Sequence, residues 1–355
     1  MKVTAIETSL IRCGRDLHCV AELRTDSELV GVAVGREDVR ALLGQITDAV
    51  LLGEDPRAVT GLWQRMFDAR RKSDHGGLVN AAISMLDVAL WDLKAKANAE
   101  PLWKTLGGSR PRINVHASGF DPSGSDDSLF DWYRSLAKRF GFRGGKLKVG
   151  FDQEADLRRL GLMQQALAEC NPEAELMIDA DECWSPKEAI RKVREMEERF
   201  DLTWVEEPAR RWDFLGHKRV SNGIRSAVCA GESLDTLGDF LPHFHERSLD
   251  IVQVGTWHGG ITGALQLADA AFGFELPVML CASPGNMHAH LGAAMPYCMS
   301  MEVVDPVPVG GVFATDVRIE EGWAVAGDRP GNGLVIDHEA LAKAAIAGSP
   351  ASRGP

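Results

Sequence analysis

Short apolar runs alternate with amphipathic, helix-like segments through most of the chain from residue 113 onward. Such alternation is typical of a parallel sheet with crossover helices, and about eight runs are enough to close that sheet on itself. The pattern therefore predicts an α/β barrel. The apolar runs read INVHASG, GKLKVG, ELMIDA, LTWVEE, AVCAGE, DIVQVG, PVMLCA and MSMEVV.

The sequence before and after this region follows other patterns. Two stretches near the N-terminus alternate like strands around a turn at residues 25–27, and VNAAISMLDVALWDLKAKA is apolar around most of a helix, which predicts burial at a domain junction. After Pro308 the pattern becomes a series of turns and a short helix, which we expect to pack back on the first domain. We therefore divide the chain into an α+β capping domain (1–112), a barrel (113–325) and a C-terminal segment (326–355).

Three acidic residues recur at nearly equal spacing, each just after an apolar run. Asp179, Glu206 and Glu232 are separated by 206 − 179 = 27 and 232 − 206 = 26 residues. One strand, one helix and two loops of a barrel of roughly 250 residues take about that length. The spacing places the three carboxylates at the C-terminal ends of successive strands, where barrel active sites are built. Carboxylates that converge there require a cation between them, and oxygen ligands favour Mg²⁺.

A pair of lysines lies one predicted strand earlier. In GGKLKVG, Lys146 and Lys148 are two residues apart and so share one face of the strand. The sequence thus places a lysine pair beside the predicted metal site.

Composition narrows the class of partner and the compartment. The formal net charge of −12 disfavours nucleic acids and anionic membranes as partners. The N-terminus lacks the apolar core of a signal peptide, and the seven cysteines form no CxxC pair. We expect a cytoplasmic protein with reduced thiols that binds a small molecule.

Taken in order, these motifs resemble the enolase superfamily, and its mandelate racemase-like branch fits best. GGKLKVG resembles the KxK strand of that family, IDADECW its first ligand strand, VEEP and AGES the next two, and HGGITGALQLA its paired glycines. AAISMLDVALWDLKAKANAEPLWKTLGG resembles the segment that joins cap to barrel. The resemblance spans nearly the whole chain and implies a (β/α)7β TIM-like barrel under an N-terminal α+β cap.

The resemblance also implies a mechanism. Asp179, Glu206 and Glu232 would hold one Mg²⁺, which would bind a substrate carboxylate and stabilise the enediolate formed when the α-proton leaves. Lys148 would be the base, and Lys146 would lower its pKa by like-charge repulsion.

The departures from the family pattern limit the chemistry. Many relatives carry a second acid/base pair, an Asp on the sixth strand and a His on the seventh, and these positions fall on Val254 and Ala282. Two-base racemisation is therefore disfavoured, whereas a one-sided syn elimination by Lys148 remains possible. The glutamate of mandelate racemase, placed after the seventh strand, aligns with Asn286.

A dehydration also needs an acid for the leaving hydroxide. His258, Lys146 and Asp181 are the candidates, and the sequence does not rank them. Asp181 and Asn286 are also expected to contact substrate, and Trp257 is expected to line the pocket.

Loops of the capping domain supply substrate specificity in this family. The corresponding segments are 12–17 and 70–77, in which Arg15 and His75 are candidate substrate contacts; solvated surface charge is the alternative explanation for both.

The sequence as a whole predicts a Mg²⁺-dependent acid-sugar dehydratase. An isomerase or cycloisomerase that uses the same enediolate is the alternative within the enzymes, and a catalytically weak sugar-acid-binding barrel is the alternative of another class. Relatives of this type are commonly dimers or octamers, so we expect a homo-oligomer.

Overall fold

The computed structural model of the protein describes residues 1–13, 16–73, 75–306 and 311–346. It begins with a three-stranded antiparallel sheet of β1 (Val3–Cys13), β2 (Asp16–Thr25) and β3 (Val30–Arg36). The predicted turn lies between β2 and β3, where the Thr25 hydroxyl contacts the Ser27 hydroxyl at 2.8 Å and the Leu29 carbonyl at 2.9 Å. Helices follow this sheet: α1 (Arg40–Ile46), α2 (Val59–Ala69), α3 (Gly77–Ala97) and α4 (Leu102–Thr105).

Parallel strands then form a closed barrel, in agreement with the predicted fold class. They are β4 (Arg112–Ala117), β5 (Gly144–Lys148), β6 (Glu175–Asp179), β7 (Leu202–Glu206), β8 (Ala227–Ala230), β9 (Ile251–Val254), β10 (Val278–Leu280) and β11 (Cys298–Val303). The last strand pairs with the first, Met301 with Val115, so the sheet has no open edge at this point. Each of the eight apolar runs identified in the sequence overlaps a barrel strand.

Helices between the strands cover the outside of the barrel. They are α5 (Asp126–Phe140), α6 (Gln153–Ala168), α7 (Pro186–Glu197), α8 (Phe214–Gly223), α9 (Leu237–Glu246), α10 (Gly260–Gly273) and α11 (His288–Gly292). Helix α7 illustrates how sequence directs them: Ser185 accepts a hydrogen bond from the Glu188 N–H, Pro186 opens the first turn, and Ala189, Val193 and Met196 face the core. None of the helices in the described ranges combines the length and the apolar character that crossing a bilayer requires.

The C-terminal part of the chain returns to both preceding regions. Its elements are β12 (Phe313–Ala314), β13 (Arg318–Glu320), β14 (Trp323–Val325), β15 (Val335–Ile336) and α12 (His338–Ala344). Strand β14 pairs antiparallel with β4 of the barrel. Beyond it, the Ile346 N–H donates to the Leu10 carbonyl of the capping sheet at 3.0 Å. The boundaries at residues 112 and 325 stay a prediction.

Helix α3 joins the cap to the barrel, and its central turns from Asn80 to Leu93 are buried, as its apolar circumference predicts. Asp87 on this helix accepts from the Thr262 N–H at 2.8 Å and from the Thr262 hydroxyl at 2.7 Å. These bonds fix α3 against the start of α10. Gly260 lies at the same contact with φ +78°, and a Cβ there would lie 2.4 Å from Asp87 Cβ.

We expect Gly260→Ala to destabilise the protein by about 2–3 kcal/mol, because the substitution adds left-handed backbone strain to a steric overlap in a packed junction. Chemical denaturation would measure the change. Gly273→Ala is the matched control: it lies at the other end of α10, and an added Cβ there meets nothing within 4 Å. A loss for Gly260→Ala no larger than that for Gly273→Ala would contradict this view of the junction.

Candidate active site

The predicted acidic and basic residues lie side by side at the C-terminal ends of the barrel strands. In the sheet register Lys148 of β5 pairs with Asp179 of β6, and Asp179 pairs with Glu206 of β7. Glu232 follows β8 by two residues. The register places Lys148, Asp179 and Glu206 at one height of the barrel, whereas Glu232 lies three residues beyond Cys229, the register partner of Glu206.

Lys146 lies at the centre of this group. Its side chain is 3% exposed, and its Nζ is 3.3 Å from Asp179 Oδ2 and also contacts Glu206 Oε1. The third carboxylate around this ammonium belongs to Glu302, at 3.0 Å. In this conformation the ammonium contacts three buried acidic side chains at once.

Glu302 is a site residue that the sequence analysis did not identify. It lies near the end of β11, where its Oε2 accepts from the Ala282 N–H at 3.1 Å while its Oε1 contacts Lys146. Burial alone would raise the pKa of Glu302, but Lys146 and the other donors around it lower that pKa to about 2. Glu302 is therefore ionised and held in place by the lysine.

Lys148 reaches the same group from the solvent side. Its Nζ lies 2.9 Å from Asp179 Oδ2 and 3.5 Å from Asp181 Oδ2. The side chain of Asp181 is 68% exposed, and its backbone is left-handed with φ +48°. Burial and the charge of Lys146 act to lower the pKa of Lys148, but Asp179 outweighs them, so that the net shift is upward; a base role for Lys148 stays a prediction.

The carboxylates influence one another as closely packed like charges do. Burial, followed by the charge of Asp179, raises the pKa of Glu206 well above its ordinary value. Burial would also raise the pKa of Asp179, but the charges of Lys146 and Lys148 outweigh burial and lower the pKa of Asp179 to about 2. Burial also raises the pKa of Glu232. This cluster requires positive charge, and a proton or a cation can supply it.

The donor set fits a hard divalent cation, since it offers three carboxylates from the C-terminal ends of consecutive strands. Among the described residues, no three acidic, imidazole or thiol side chains are yet spaced as a finished metal cage. The reason is visible in the contacts: the ammonium groups of Lys146 and Lys148 lie between the carboxylates. Cation binding would require these two ammonium groups to move aside.

These side chains open into a cavity of about 510 Å³. We call it the charged cavity, after the charged residues that line it: Asp121, Lys146, Lys148, Asp179, Asp181, Glu232 and Glu302. Gly119 and Gly150, together with apolar side chains such as Phe120 and Phe151, form further parts of its wall. A small carboxylic acid can enter here beside both lysines.

His258 is not available as an acid for the leaving group, so that candidate is wrong. Its ring is buried, Nδ1 accepts from the Gly255 N–H at 3.0 Å, and Nε2 donates to the Gly231 carbonyl at 3.0 Å. Burial also lowers its pKa to about 4. Both nitrogens are used in holding two strand-end turns together.

Asn286 likewise has a structural contact instead of a place in the charged cavity. Its side chain is buried, and its amide donates to the Asp305 carbonyl at 3.0 Å, which corrects the expectation that it contacts substrate. The carboxylate of Glu302, near the end of the eighth strand, lines that cavity instead.

The remaining candidates lie at other places. Trp257 is half-buried, and its indole N–H donates to the Glu232 carbonyl at 2.8 Å. His75 is exposed and has an edge contact with Phe67 at 5.9 Å, away from the charged cavity. Arg15 lies outside the described residues.

Arg211 connects the loops that follow the three acidic strands, a role the sequence analysis missed. Its Nε and Nη2 donate to the two oxygens of Glu182 at 2.9 and 2.8 Å, and its Nη1 donates to the Ser233 carbonyl at 2.9 Å. Glu182 follows Asp179, Arg211 follows Glu206 and Ser233 follows Glu232. One guanidinium thus fixes the relative positions of three predicted ligands.

Family models cover both halves of the chain. Residues 6–107 match the mandelate racemase / muconate lactonizing enzyme N-terminal domain, and residues 131–340 match the enolase C-terminal domain-like model.

Two relatives are similar to this chain over most of their length. The 3,6-anhydro-alpha-L-galactonate cycloisomerase of Streptomyces coelicolor is 34% identical over 83% of this chain and 81% of that protein. The L-talarate/galactarate dehydratase of Salmonella typhimurium is 30% identical over 90% of this chain and 81% of its own length.

Solved structures agree in fold. A racemase from Streptomyces coelicolor with bound magnesium has a TM-score of 0.87 at 27% identity, covering 97% of this chain and 100% of that chain. L-talarate dehydratase from Polaromonas sp. JS666, complexed with Mg and L-glucarate, has a TM-score of 0.86 at 27% identity, covering 97% of both chains. The barrel, its charged mouth and these matches together show that the chain belongs to the mandelate racemase / muconate lactonizing enzyme family of the enolase superfamily.

Proposed function

We propose that the protein is a Mg²⁺-dependent acid-sugar dehydratase, a lyase that removes the α-proton of a carboxylate substrate and eliminates water through an enediolate. The observation that carries this proposal is the position of Lys148, whose Nζ projects into the charged cavity 2.9 Å from the carboxylate of Asp179. A base beside a cation site is the arrangement that proton abstraction next to a carboxylate requires. Dehydratases among the relatives support the reaction class.

Asp179, Glu206 and Glu232 would hold one Mg²⁺, which supplies positive charge to the substrate carboxylate as the α-proton leaves. Lys148 takes that proton at Nζ. Lys148 must first be neutral, but the charge of Asp179 raises the pKa of Lys148. A cation held by Asp179 would weaken that effect; burial and the ammonium of Lys146 lower the pKa of Lys148, and the smaller effect of Asp181 raises it.

The leaving hydroxide needs a proton from the same side of the substrate. After abstraction Lys148 carries that proton as an ammonium, so it can return it to the departing oxygen, which gives water and a syn elimination. Asp181 and Lys146 are the other candidate acids. The Oδ2 of Asp181 lies 3.5 Å from Lys148 Nζ, and Lys146 lines the same cavity.

The two positions at which the family resemblance predicts a second base support elimination over racemisation. Val254 ends β9 and Ala282 follows β10, the two positions where a second base would lie. Neither side chain can accept a proton.

A cycloisomerase is the second candidate function, because the relative with 34% identity is named as one. It would use the same abstraction by Lys148 and differ only in where the enediolate is next protonated or closed. The mass of the product separates the two functions.

The test is mass spectrometry of an acid-sugar library incubated with the protein and Mg²⁺ in D₂O. We expect one sugar acid to lose water, and Lys148→Ala to abolish the loss. Deuterium uptake without loss of water would favour the isomerase. If the protein binds Mg²⁺ but gives neither signal with any member of the library, a sugar-acid-binding barrel replaces the enzyme.

Arg211→Ala is expected to weaken Mg²⁺ binding about 10-fold or more, since supporting contacts around metal ligands are typically worth 10- to 100-fold in affinity. Arg211→Lys should recover only part of the loss, because one ammonium cannot reach both oxygens of Glu182 and the Ser233 carbonyl together. Isothermal titration calorimetry with Mg²⁺ measures the effect directly.

Arg210→Ala is the matched control for this prediction. Arg210 is adjacent in sequence and more exposed, and it approaches Glu182 only to 3.8 Å. Equal Mg²⁺ affinity for Arg211→Ala and Arg210→Ala would rule out the positioning role.

A further inference from the structure

Glu232 is the one predicted Mg²⁺ ligand that lies outside a barrel strand. Asp179 and Glu206 end β6 and β7, where the sheet register pairs them with each other. Glu232 lies two residues beyond β8, after Gly231, whose φ of +144° marks the end of regular strand geometry. A ligand on a loop needs further contacts to keep its position, because the sheet does not fix it.

The backbone around Glu232 is bound by β9 and the segment that follows it. The Trp257 indole N–H donates to the Glu232 carbonyl at 2.8 Å, and His258 Nε2 donates to the Gly231 carbonyl at 3.0 Å. From β9 itself, Gln253 Oε1 accepts from the Glu232 N–H at 3.4 Å. The peptide groups on both sides of the predicted ligand are thus held by one neighbouring strand and its loop.

Trp257 is in turn held by the capping domain. The Asn80 side chain, in the first turn of α3, is fully buried and donates through Nδ2 to the Trp257 carbonyl at 2.6 Å. Ser84, one turn further along the helix, donates to the same carbonyl at 3.1 Å. Two hydrogen bonds from the cap therefore fix the backbone of the residue whose indole binds Glu232.

A second connection between cap and barrel runs through Asp235, three residues after Glu232. The same Asn80 amide donates to the Asp235 carbonyl at 3.2 Å, and the Asp235 carboxylate accepts from the Gly77 N–H at 2.9 Å. Helix α3 has a glycine at its N-cap position, so this carboxylate satisfies an N–H of the first turn that no capping side chain binds. Asn80 thus closes a ring of contacts that includes Glu232, Trp257 and Asp235.

We propose that Asn80 and Trp257 are positioning residues for the Mg²⁺ site, so that the capping domain sets the affinity of the barrel for the cation through the backbone of Glu232. This inference rests on the proposed function and adds a role of the cap in metal binding. Neither side chain is a ligand; both act on the loop that carries the third carboxylate. Supporting contacts around metal ligands are typically worth about 10- to 100-fold in metal affinity.

Trp257→Phe tests the contact with Glu232, because it keeps an aromatic ring but removes the indole N–H. We expect the Mg²⁺ affinity, measured by calorimetry, to fall by about 10-fold or more. Trp91→Phe is the matched control: the Trp91 indole also joins α3 to the barrel, but it donates to the Thr262 hydroxyl of α10, at 2.9 Å. Both variants should lose unfolding free energy without Mg²⁺, and only Trp257→Phe should lose Mg²⁺ affinity.

The outcomes separate this inference from the proposed function. Equal Mg²⁺ affinities in Trp257→Phe and Trp91→Phe would overturn the inference and leave the proposed function standing. Absence of Mg²⁺ binding in the unsubstituted protein would overturn both.

Asn80→Ala tests the link to the cap and should also lower Mg²⁺ affinity by about 10-fold. Combined with Trp257→Phe, it should cost less than the product of the two single losses, because both act on Glu232 through Trp257. Asn332→Ala is the control: this amide is equally buried but donates to the Val32 carbonyl at 2.9 Å, so its loss should lower stability and leave Mg²⁺ affinity unchanged. Losses that multiply in the double variant, or a loss in Asn332→Ala as large as that in Asn80→Ala, would overturn the role of the cap.

Discussion

Lys148→Ala is expected to lower kcat/KM by about 10³- to 10⁴-fold and to abolish deuterium exchange at the α-carbon, because it removes the group that accepts the proton. The fold should survive, since Lys148 is partly exposed and Asp179 keeps Lys146 at 3.3 Å. Mg²⁺ affinity should stay the same or rise, because the ammonium that now lies 2.9 Å from Asp179 is gone. Steady-state kinetics measures kcat/KM, proton NMR in D₂O measures exchange at the α-carbon, and calorimetry measures the Mg²⁺ affinity.

Lys148→Arg is the control for charge at this position. A guanidinium keeps a cation beside Asp179 but does not release its proton near neutral pH, so this variant should be inactive as well. If either variant retained exchange within about 10-fold of the original rate, the base would have to be another residue.

Lys146→Met is expected to cost about 3–5 kcal/mol of unfolding free energy without Mg²⁺, because it leaves buried carboxylates without a counter-charge. Asp179, Glu206 and Glu302 all contact this ammonium, and the methionine fills its space without replacing its charge. Added Mg²⁺ should restore more stability to the variant than to the original protein, since the cation no longer competes with the lysine. Denaturation curves with and without Mg²⁺ measure both effects.

Lys96→Met offers a matched control far from the charged cavity. Lys96 Nζ lies 2.6 Å from Asp92 Oδ2, and that aspartate is fully buried on α3. The variant should also lose stability, but Mg²⁺ should not restore it. Equal recovery in Lys96→Met and Lys146→Met would contradict a cation site at the strand ends.

The sequence allowed the barrel and most of the charged cavity to be predicted because both depend on local patterns. Each strand is a short apolar run, and the positions of Asp179, Glu206 and Glu232 follow from repeated spacing. Glu302 also lies near the end of a barrel strand, in MSMEVV. It was missed because the two strands between Glu232 and Glu302 carry no acid, so that the interval is 302 − 232 = 70 residues.

Tertiary contacts explain the remaining differences. His258 precedes the paired glycines and resembles a free acid in the sequence, yet both its nitrogens bind backbone groups of neighbouring turns. Arg211 is part of the run ARRW, which by itself indicates surface charge. Its contacts form only in the folded protein, where the loops after three strands lie together. Neither set of contacts corresponds to a repeated spacing of residues in the sequence.

The return of the C-terminal part to the cap has a consequence for the order of folding. Ile11, Val20 and Val32 of the capping sheet form one apolar cluster with Leu334, Ile336 and Leu341, and Asn332 donates to the Val32 carbonyl across 300 positions. The barrel closes through β4 and β11, which precede all of these C-terminal residues. During synthesis the barrel can therefore assemble first, while one side of the cap stays exposed to water until the last turns leave the ribosome. Completion of this apolar cluster in the cap therefore follows closure of the barrel.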